Sequence, residues 1–311
     1  MPVAPSRSVR SKSWAAAVGV LASIWAFTAA AEAQTLDHLR DAGKIKLGYE
    51  KDARPFSFED DTGKPGGYAV ALCAVVADEL KKELGVPELA LEWVALGRDE
   101  RFEAINSGKA DLVCSANSVT LDRRKTVSFS IPIFPGGIGA LVRADVPIPL
   151  REVLERGRPS DRPIWRGSPA WTVLNQKTFS AVAGTTSETW LKERKQTFKL
   201  DATVTTVATY DEGIKSVLDG STDVLFGDLP ILQNAAARSK NTGDLIVLNR
   251  HFTYEPQALA LPREDEDFRL AVDRALSHYY KSEGFRDFYT KWFGRPDDRT
   301  VSFFQQTTLM D

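Results

Sequence analysis

Residues that bind metals or cycle electrons are scarce in this chain of 311 residues, which holds three histidines, two cysteines and two methionines. His38, His251 and His278 stand far apart, and no Cys or His grouping has the spacing of a metal site. A G-x-S-x-G nucleophile elbow, a phosphate-binding P-loop and a dinucleotide fingerprint are all missing. Neither a recognisable catalytic motif nor a cofactor is therefore expected. Charge is not in excess either: a formal net charge of −2 gives nucleic acid no electrostatic footprint. With 43% apolar and 26% charged residues, the composition is that of a globular protein of one large or two medium domains.

Long apolar runs are also few, the one at residues 14–31 standing out. Arg7, Arg10 and Lys12 precede it, and Ala31-Glu32-Ala33 ends it with a small-x-small pattern. Residues 1–33 thus read as a signal peptide of an exported protein, with a mature start near Gln34. The alternative is an uncleaved anchor, because a run of about 18 apolar residues is borderline for a membrane span. Removing residues 1–33 takes away three cations and one anion and leaves a net charge of −4. Export puts Cys73 and Cys114 in an oxidising compartment, where a bridge from a helix to a strand is expected. Two separately buried thiols are the alternative.

The chain is organised around residues 97–130. Phe102 and Ile105 share one helix face, Ser107-Gly108 stops that helix, and residues 110–114 form a short apolar strand. Ser115, Asn117, Ser118 and Thr120 follow, then Arg123, Arg124 and Lys125. Ligands of open α/β sheets sit where strands end at their carboxyl side, and hydroxyls followed by guanidiniums there suit a carboxylate or phosphate. The same syntax returns 112 residues later, from Gly108 to Gly220. Residues 217–228 repeat the helix end, the glycine, an aspartate and an apolar strand, but end in the acid Asp228. One unit ending in cations and one ending in an anion suit the two poles of a zwitterion.

Elsewhere, residues 44–49 alternate as a strand, a helix from Tyr68 to Leu84 carries Leu72, Val75, Val76 and Leu80 on one stripe, and residues 89–94 form the next strand. This β-α-β-α-β order implies parallel strands with crossover helices. Gly136-Gly137 reads as a hinge. Residues 144–178, rich in proline, read as an irregular excursion whose Trp165 and Trp171 pack onto the second half or line a site. Ser187 reads as the N-cap of a helix running to Lys195. The polar tail from Arg295 suggests no role.

Several stretches, in order, resemble the exported solute-binding proteins of polar amino-acid ABC transporters (family 3), with features of the glutamate/aspartate-binding branch. They are Arg54-Pro55-Phe56-Ser57-Phe58, Asn106-Ser107-Gly108-Lys109-Ala110-Asp111, Thr120-Leu121-Asp122-Arg123, Val127-Ser128-Phe129-Ser130, Gly184-Thr185-Thr186-Ser187-Glu188, residues 223–228 and Lys291-Trp292-Phe293-Gly294. The resemblance covers about residues 36–294. The resemblance implies an α/β, two-lobe periplasmic-binding-protein fold (type II), each lobe a mostly parallel sheet flanked by helices, joined by two hinge strands. Lobe 1 is expected over 34–138 and 256–311, and lobe 2 over 139–255. It implies a monomer that binds a small-molecule amino acid in the periplasm and delivers it to a permease in the inner membrane.

Matched to the family pattern, Arg123 takes the ligand α-carboxylate, Ser118 contacts the same group, Thr185 and Thr186 contribute from a helix N-terminus, and Asp228 takes the α-ammonium. Arg101 matches an arginine of the glutamate/aspartate branch. Glu50 stands where that branch has another arginine, so the two are placed to pair and leave room for an uncharged polar side chain. Ala53 replaces the usual stacking aromatic, which leaves Tyr49 or Phe56 to stack on the ligand. Two other functions remain open on this scaffold: a cyclohexadienyl-dehydratase-like enzyme, with Glu50 as its general acid, and a sensor for a membrane receptor.

Overall fold

A computed structural model describes residues 35–156 and 167–310; the expected signal peptide and Trp165 lie outside the described residues. The strand Lys44–Glu50 lies inside the first sheet, parallel to Ala90–Leu96 on one side and to Leu112–Ser118 on the other. The helix Tyr68–Leu84 provides a crossover and ends at Gly85, whose left-handed backbone (φ 67°) gives the expected stop. Leu72, Val76 and Leu80 of the expected stripe are fully buried, whereas Val75 is half-buried. Glu255–Leu261 joins Leu112–Ser118 in antiparallel fashion and also pairs with Ser128–Phe129 and Phe134–Gly136.

The second sheet runs Thr203–Val207, Thr178–Val182, Val224–Asp228, Ile138–Arg143, Leu245–Val247. Its first three strands are parallel, and Ile138–Arg143 runs against its neighbours. The chain therefore changes sheets between Gly136 and Ile138 and returns just before Glu255. Gly136 and Gly137 are needed there for space. A Cβ on Gly137 would lie 2.1 Å from the Thr253 carbonyl oxygen, and one on Gly136 would lie 2.5 Å from Cδ of Gln257.

The repeated syntax has a common structural cause. In the first sheet the backbone N–H of Asp111 donates to the Lys46 carbonyl at 2.8 Å, and the N–H of Lys46 donates back to Asp111 Oδ2 at 2.7 Å. In the second, Asp223 N–H donates to the Thr178 carbonyl at 2.9 Å and Thr178 N–H returns to Asp223 Oδ2 at 2.8 Å. Each aspartate locks the start of its strand to the neighbouring parallel strand, and each preceding glycine (Gly108, φ 67°; Gly220, φ 79°) makes the left-handed helix exit.

Two regions are more regular than their sequences suggest. Residues 144–178 contain the helices Ile148–Arg156 and Pro169–Leu174; Trp171 packs on the second core and donates from Nε1 to the Lys199 carbonyl at 3.3 Å. The polar tail forms the helix Asp298–Thr307, capped by Asp297, with Phe304 seated against Phe285 (4.7 Å between centroids) and Tyr280 (4.9 Å). Val301 and Phe304, three apart behind an aspartate, carry that signal in a stretch too short for clear periodicity.

Cys73 and Cys114 are bridged, with Cα atoms 5.9 Å apart and a sequence separation of 41. The bridge ties the Tyr68–Leu84 helix to the strand that carries Ser115, Asn117 and Ser118. A loop of this length stabilises by about 2–4 kcal/mol. Replacing both cysteines by alanine is expected to lower the unfolding free energy by about that amount in urea titrations without reductant. An unchanged midpoint would show that the bridge contributes nothing to stability.

Candidate functional site

Glu50 closes the first strand and is 3% exposed. Its Oε1 accepts from Ser115 Oγ at 2.6 Å, and its backbone N–H donates to Ser57 Oγ at 2.9 Å. Its Oε2 lies 3.1 Å from Arg98 Nη1, a charge contact without hydrogen-bond alignment. Arg98 sits just past the carboxyl end of Ala90–Leu96 and also reaches Asp52 Oδ1 at 3.2 Å.

The expected pairing of Glu50 with Arg101 is therefore replaced by a pairing with Arg98. Arg101, 5% exposed in the first turn of Arg101–Asn106, spends its Nε on Asn117 Oδ1 at 3.0 Å and its Nη1 on the Arg98 carbonyl. Arg123 donates from Nη1 to the Ser118 carbonyl at 2.9 Å and from Nη2 to the Gly184 carbonyl at 3.5 Å, so it touches both sheets' loops. Ser118 itself is 4% exposed at the end of its strand. The Phe102 ring carries both guanidiniums, with Arg101 4.6 Å and Arg123 5.4 Å from its centroid. Among the described residues, neither Arg101 nor Arg123 has a carboxylate at ion-pair distance.

On the opposite side, the helix Thr186–Thr197 starts at Thr185, not at the expected Ser187. The Thr185 hydroxyl accepts from Glu188 N–H and donates to the Val182 carbonyl at 2.6 Å, while Glu188 Oε2 accepts from Gly184 N–H at 2.9 Å. Thr185-x-x-Glu188 has the spacing of a capping box, so the signal was present in the sequence. The Thr185 hydroxyl is committed to the helix. Thr186 Oγ1 donates to Glu255 Oε2 at 2.8 Å, and Glu255 Oε1 accepts from Thr253 Oγ1 at 2.8 Å.

Asp228 ends Val224–Asp228 and accepts from Gln257 Nε2 at 2.8 Å. Tyr210, 2% exposed, packs where Gly227 lacks a side chain, and Arg98 lies 5.8 Å over its ring. Tyr49 and Phe56 do not stack in this cluster: Tyr49 donates to Glu59 Oε2 at 3.0 Å, and Phe56 is fully buried among Tyr68, Phe134 and Phe293. Arg98, Tyr210, Glu255 and Gln257 were not singled out from sequence. Arg98 follows a parallel strand at its carboxyl end, the one position-based signal that pointed to it.

Electrostatically the cluster divides into satisfied and unsatisfied charges. Burial alone would push the Glu50 carboxyl up, but Arg98, then Arg101, the Ser115 hydrogen bond and Arg123 hold it below the usual carboxylate range. Burial lowers Arg101, and burial together with neighbouring Arg101 pushes Arg123 down to about 10. Burial, then Glu255, push Asp228 up to about 7 against the pull of Arg98 and Arg123. A depressed arginine and a raised aspartate facing one region are each short of a counter-charge. The arrangement suits a small ligand carrying anionic groups for the arginines and a cation for Asp228. Among the described residues no group of His, Cys, Asp and Glu has metal-site geometry.

The chain is 26% identical to an L-glutamate/L-aspartate-binding protein of Pseudomonas aeruginosa, covering 84% of this chain and 80% of that one. It is 26% identical to an L-cystine-binding protein of Escherichia coli (strain K12), covering 83% and 86% respectively. Among solved structures, an ancestral amino acid-binding protein described as a precursor of cyclohexadienyl dehydratase superposes with a TM-score of 0.66 at 27% identity, covering 84% of this chain and 99% of that one. The α/β architecture, with its two large sheets and a small three-stranded one, is the two-lobe periplasmic-binding-protein fold. Residues 45–295 match the bacterial extracellular solute-binding proteins, family 3, and the chain belongs to that family.

Proposed function

We propose that this protein is an exported, periplasmic solute-binding protein that captures an acidic L-amino acid between its lobes and hands it to an ABC-transporter permease. The observation that carries the choice of ligand is the Glu50–Arg98 contact of 3.1 Å. Left alone, Glu50 would repel a ligand carboxylate; neutralised by Arg98, it leaves Arg101 and Arg123 as two adjacent guanidiniums in want of anions. A dicarboxylic amino acid supplies two anions and one cation. Its α-carboxylate suits Arg123, Ser118 and the N-terminal end of Thr186–Thr197, where backbone N–H groups favour an anion. Its ammonium suits Asp228, and its second carboxylate suits Arg101. Opposite poles held by different lobes also couple capture to closure.

The relatives named for glutamate and aspartate support this reading. The enzymatic alternative loses its named acid, because a Glu50 held ionised by Arg98 is a poor proton donor. The Cys73–Cys114 bridge agrees with an oxidising compartment.

Calorimetry with purified protein is expected to show tighter binding of L-glutamate or L-aspartate than of L-glutamine. In Arg101→Met the acidic ligand should weaken by roughly 30-fold or more, as truncation of a buried charge partner costs about 2 kcal/mol or more, with little change for glutamine. A wild-type preference for glutamine would overturn the assignment of the ligand.

Binding should also depend on pH. The free protein holds a proton on Asp228 below about 7, and a ligand ammonium requires the carboxylate, so binding expels that proton. Affinity is then full above that pH and falls as pH drops through it, approaching tenfold per unit. Titrations between pH 5 and 8.5 should show this slope in the wild type and a flat profile in Asp228→Asn; equal slopes would disconnect Asp228 from the ligand.

A further inference from the structure

One face of the returning hinge strand carries two polar side chains, Glu255 and Gln257, and both reach the second lobe. Gln257 has no exposed surface and stands in register with Ser118 on one neighbouring strand and with Phe134 on another. Its Nε2 donates to Asp228 Oδ1 at 2.8 Å, while its Oε1 is buried and has no hydrogen-bond partner. The space for this side chain is made by Gly136, where any Cβ would fall 2.5 Å from Gln257 Cδ. A buried amide oxygen without a partner costs on the order of 1–3 kcal/mol, so it is retained where something else supplies the missing donor. The amide orientation is fixed by chemistry, because the donor end must face the carboxylate.

We propose that Gln257 is a positioning residue for Asp228 and that its Oε1 is a second acceptor for the ligand ammonium. The proposal rests on the amino-acid reading of the site. It gives the ammonium two acceptors, a carboxylate oxygen and an amide oxygen, on two different strands. Of the six buried polar atoms without an aligned hydrogen-bond partner among the described residues, Glu50 Oε2, Tyr210 OH and Gln257 Oε1 belong to this one cluster. Glu50 Oε2 is offset by Arg98 at 3.1 Å and Tyr210 OH lies against the Asp228 backbone, which leaves Gln257 Oε1 as the atom of the three that a polar ligand would complete.

Asp228 is faced by Glu255 and Gln257 from the hinge strand, by Arg98, Arg123 and Glu50 from the first lobe, and by Tyr210 from its own lobe. Glu255 and Glu50 disfavour its charged form and the two arginines favour it. The Gln257 N–H adds a neutral donor that favours the carboxylate without adding charge.

Gln257→Leu and Gln257→Met, both of similar volume, test the idea in the intact protein. In ligand-free protein, carbon-13 NMR of the aspartate carboxyls should move the Asp228 titration midpoint up by about one to two pH units in both variants. An unmoved midpoint would overturn the positioning role. Calorimetry at pH 8 should show L-glutamate weakened about tenfold or more by either variant, and glutarate, which has both carboxylates but no ammonium, affected little. Equal losses for the two compounds would overturn the acceptor role and leave Gln257 as a shape filler. If the wild type binds neither compound, the acidic-ligand reading fails and so does the acceptor role, while the NMR midpoint still decides positioning.

Discussion

The contact between Arg98 and Glu50 sets the sign of everything around it. Both side chains are close to buried, and a buried ion pair is retained at a desolvation cost that its attraction only partly offsets. Its consequence here is a redistribution of charge. The pair closes on itself, with Ser115 and Asp52 as outer partners, and so takes one guanidinium and one carboxylate out of the local balance. The remainder consists of Arg101 and Arg123 sharing the face of Phe102, and Asp228 beside Glu255 across the lobes. The identity of a ligand is then a question of which molecule neutralises that remainder at the lowest desolvation cost.

The scaffold beneath the site is one idea used twice. A left-handed glycine ends a helix, an aspartate shortly after it clamps the neighbouring parallel strand by two hydrogen bonds, and an apolar strand delivers its last residues to the space between lobes. The charge difference between the two copies lies at the carboxyl end of each strand and in the segment leaving it. The first copy turns into a basic loop with Arg123, the second into Asp228 and a helix beginning Leu229-Pro230. The aromatic motifs at the two ends of the family match serve the same scaffold. Phe56 and Phe293 meet with centroids 5.4 Å apart, and Phe134 joins them at 5.0 Å and 4.7 Å.

Local patterns were legible in the sequence. The parallel units, the Gly85 stop, the bridge option for Cys73 and Cys114 and the basic and acidic strand ends all follow from periodicity, turn chemistry and export. Partnerships between distant side chains were not. Nothing in Gly97-Arg98-Asp99 distinguishes a buried partner of Glu50 from a solvated loop charge. Gln257 sits in Glu255–Leu261, a stretch whose sequence carries no motif of its own, and its meaning depends on Gly136 having no side chain. Thr185 is a different case, since its capping box was written in the sequence and Ser187 merely looked like an equally good cap.

The two crossings between lobes are joined edge to edge. Glu255 stands opposite Gly136, Phe252 N–H donates to the Ile138 carbonyl at 2.7 Å, and Ile138 N–H donates to Thr253 Oγ1 at 3.0 Å. Gly137 lets the backbones come closer than any side chain would permit. Two separate flexible tethers would let the lobes splay in any direction. A zippered ribbon couples its two strands, so a displacement of one is shared by the other and by the side chains hung on both.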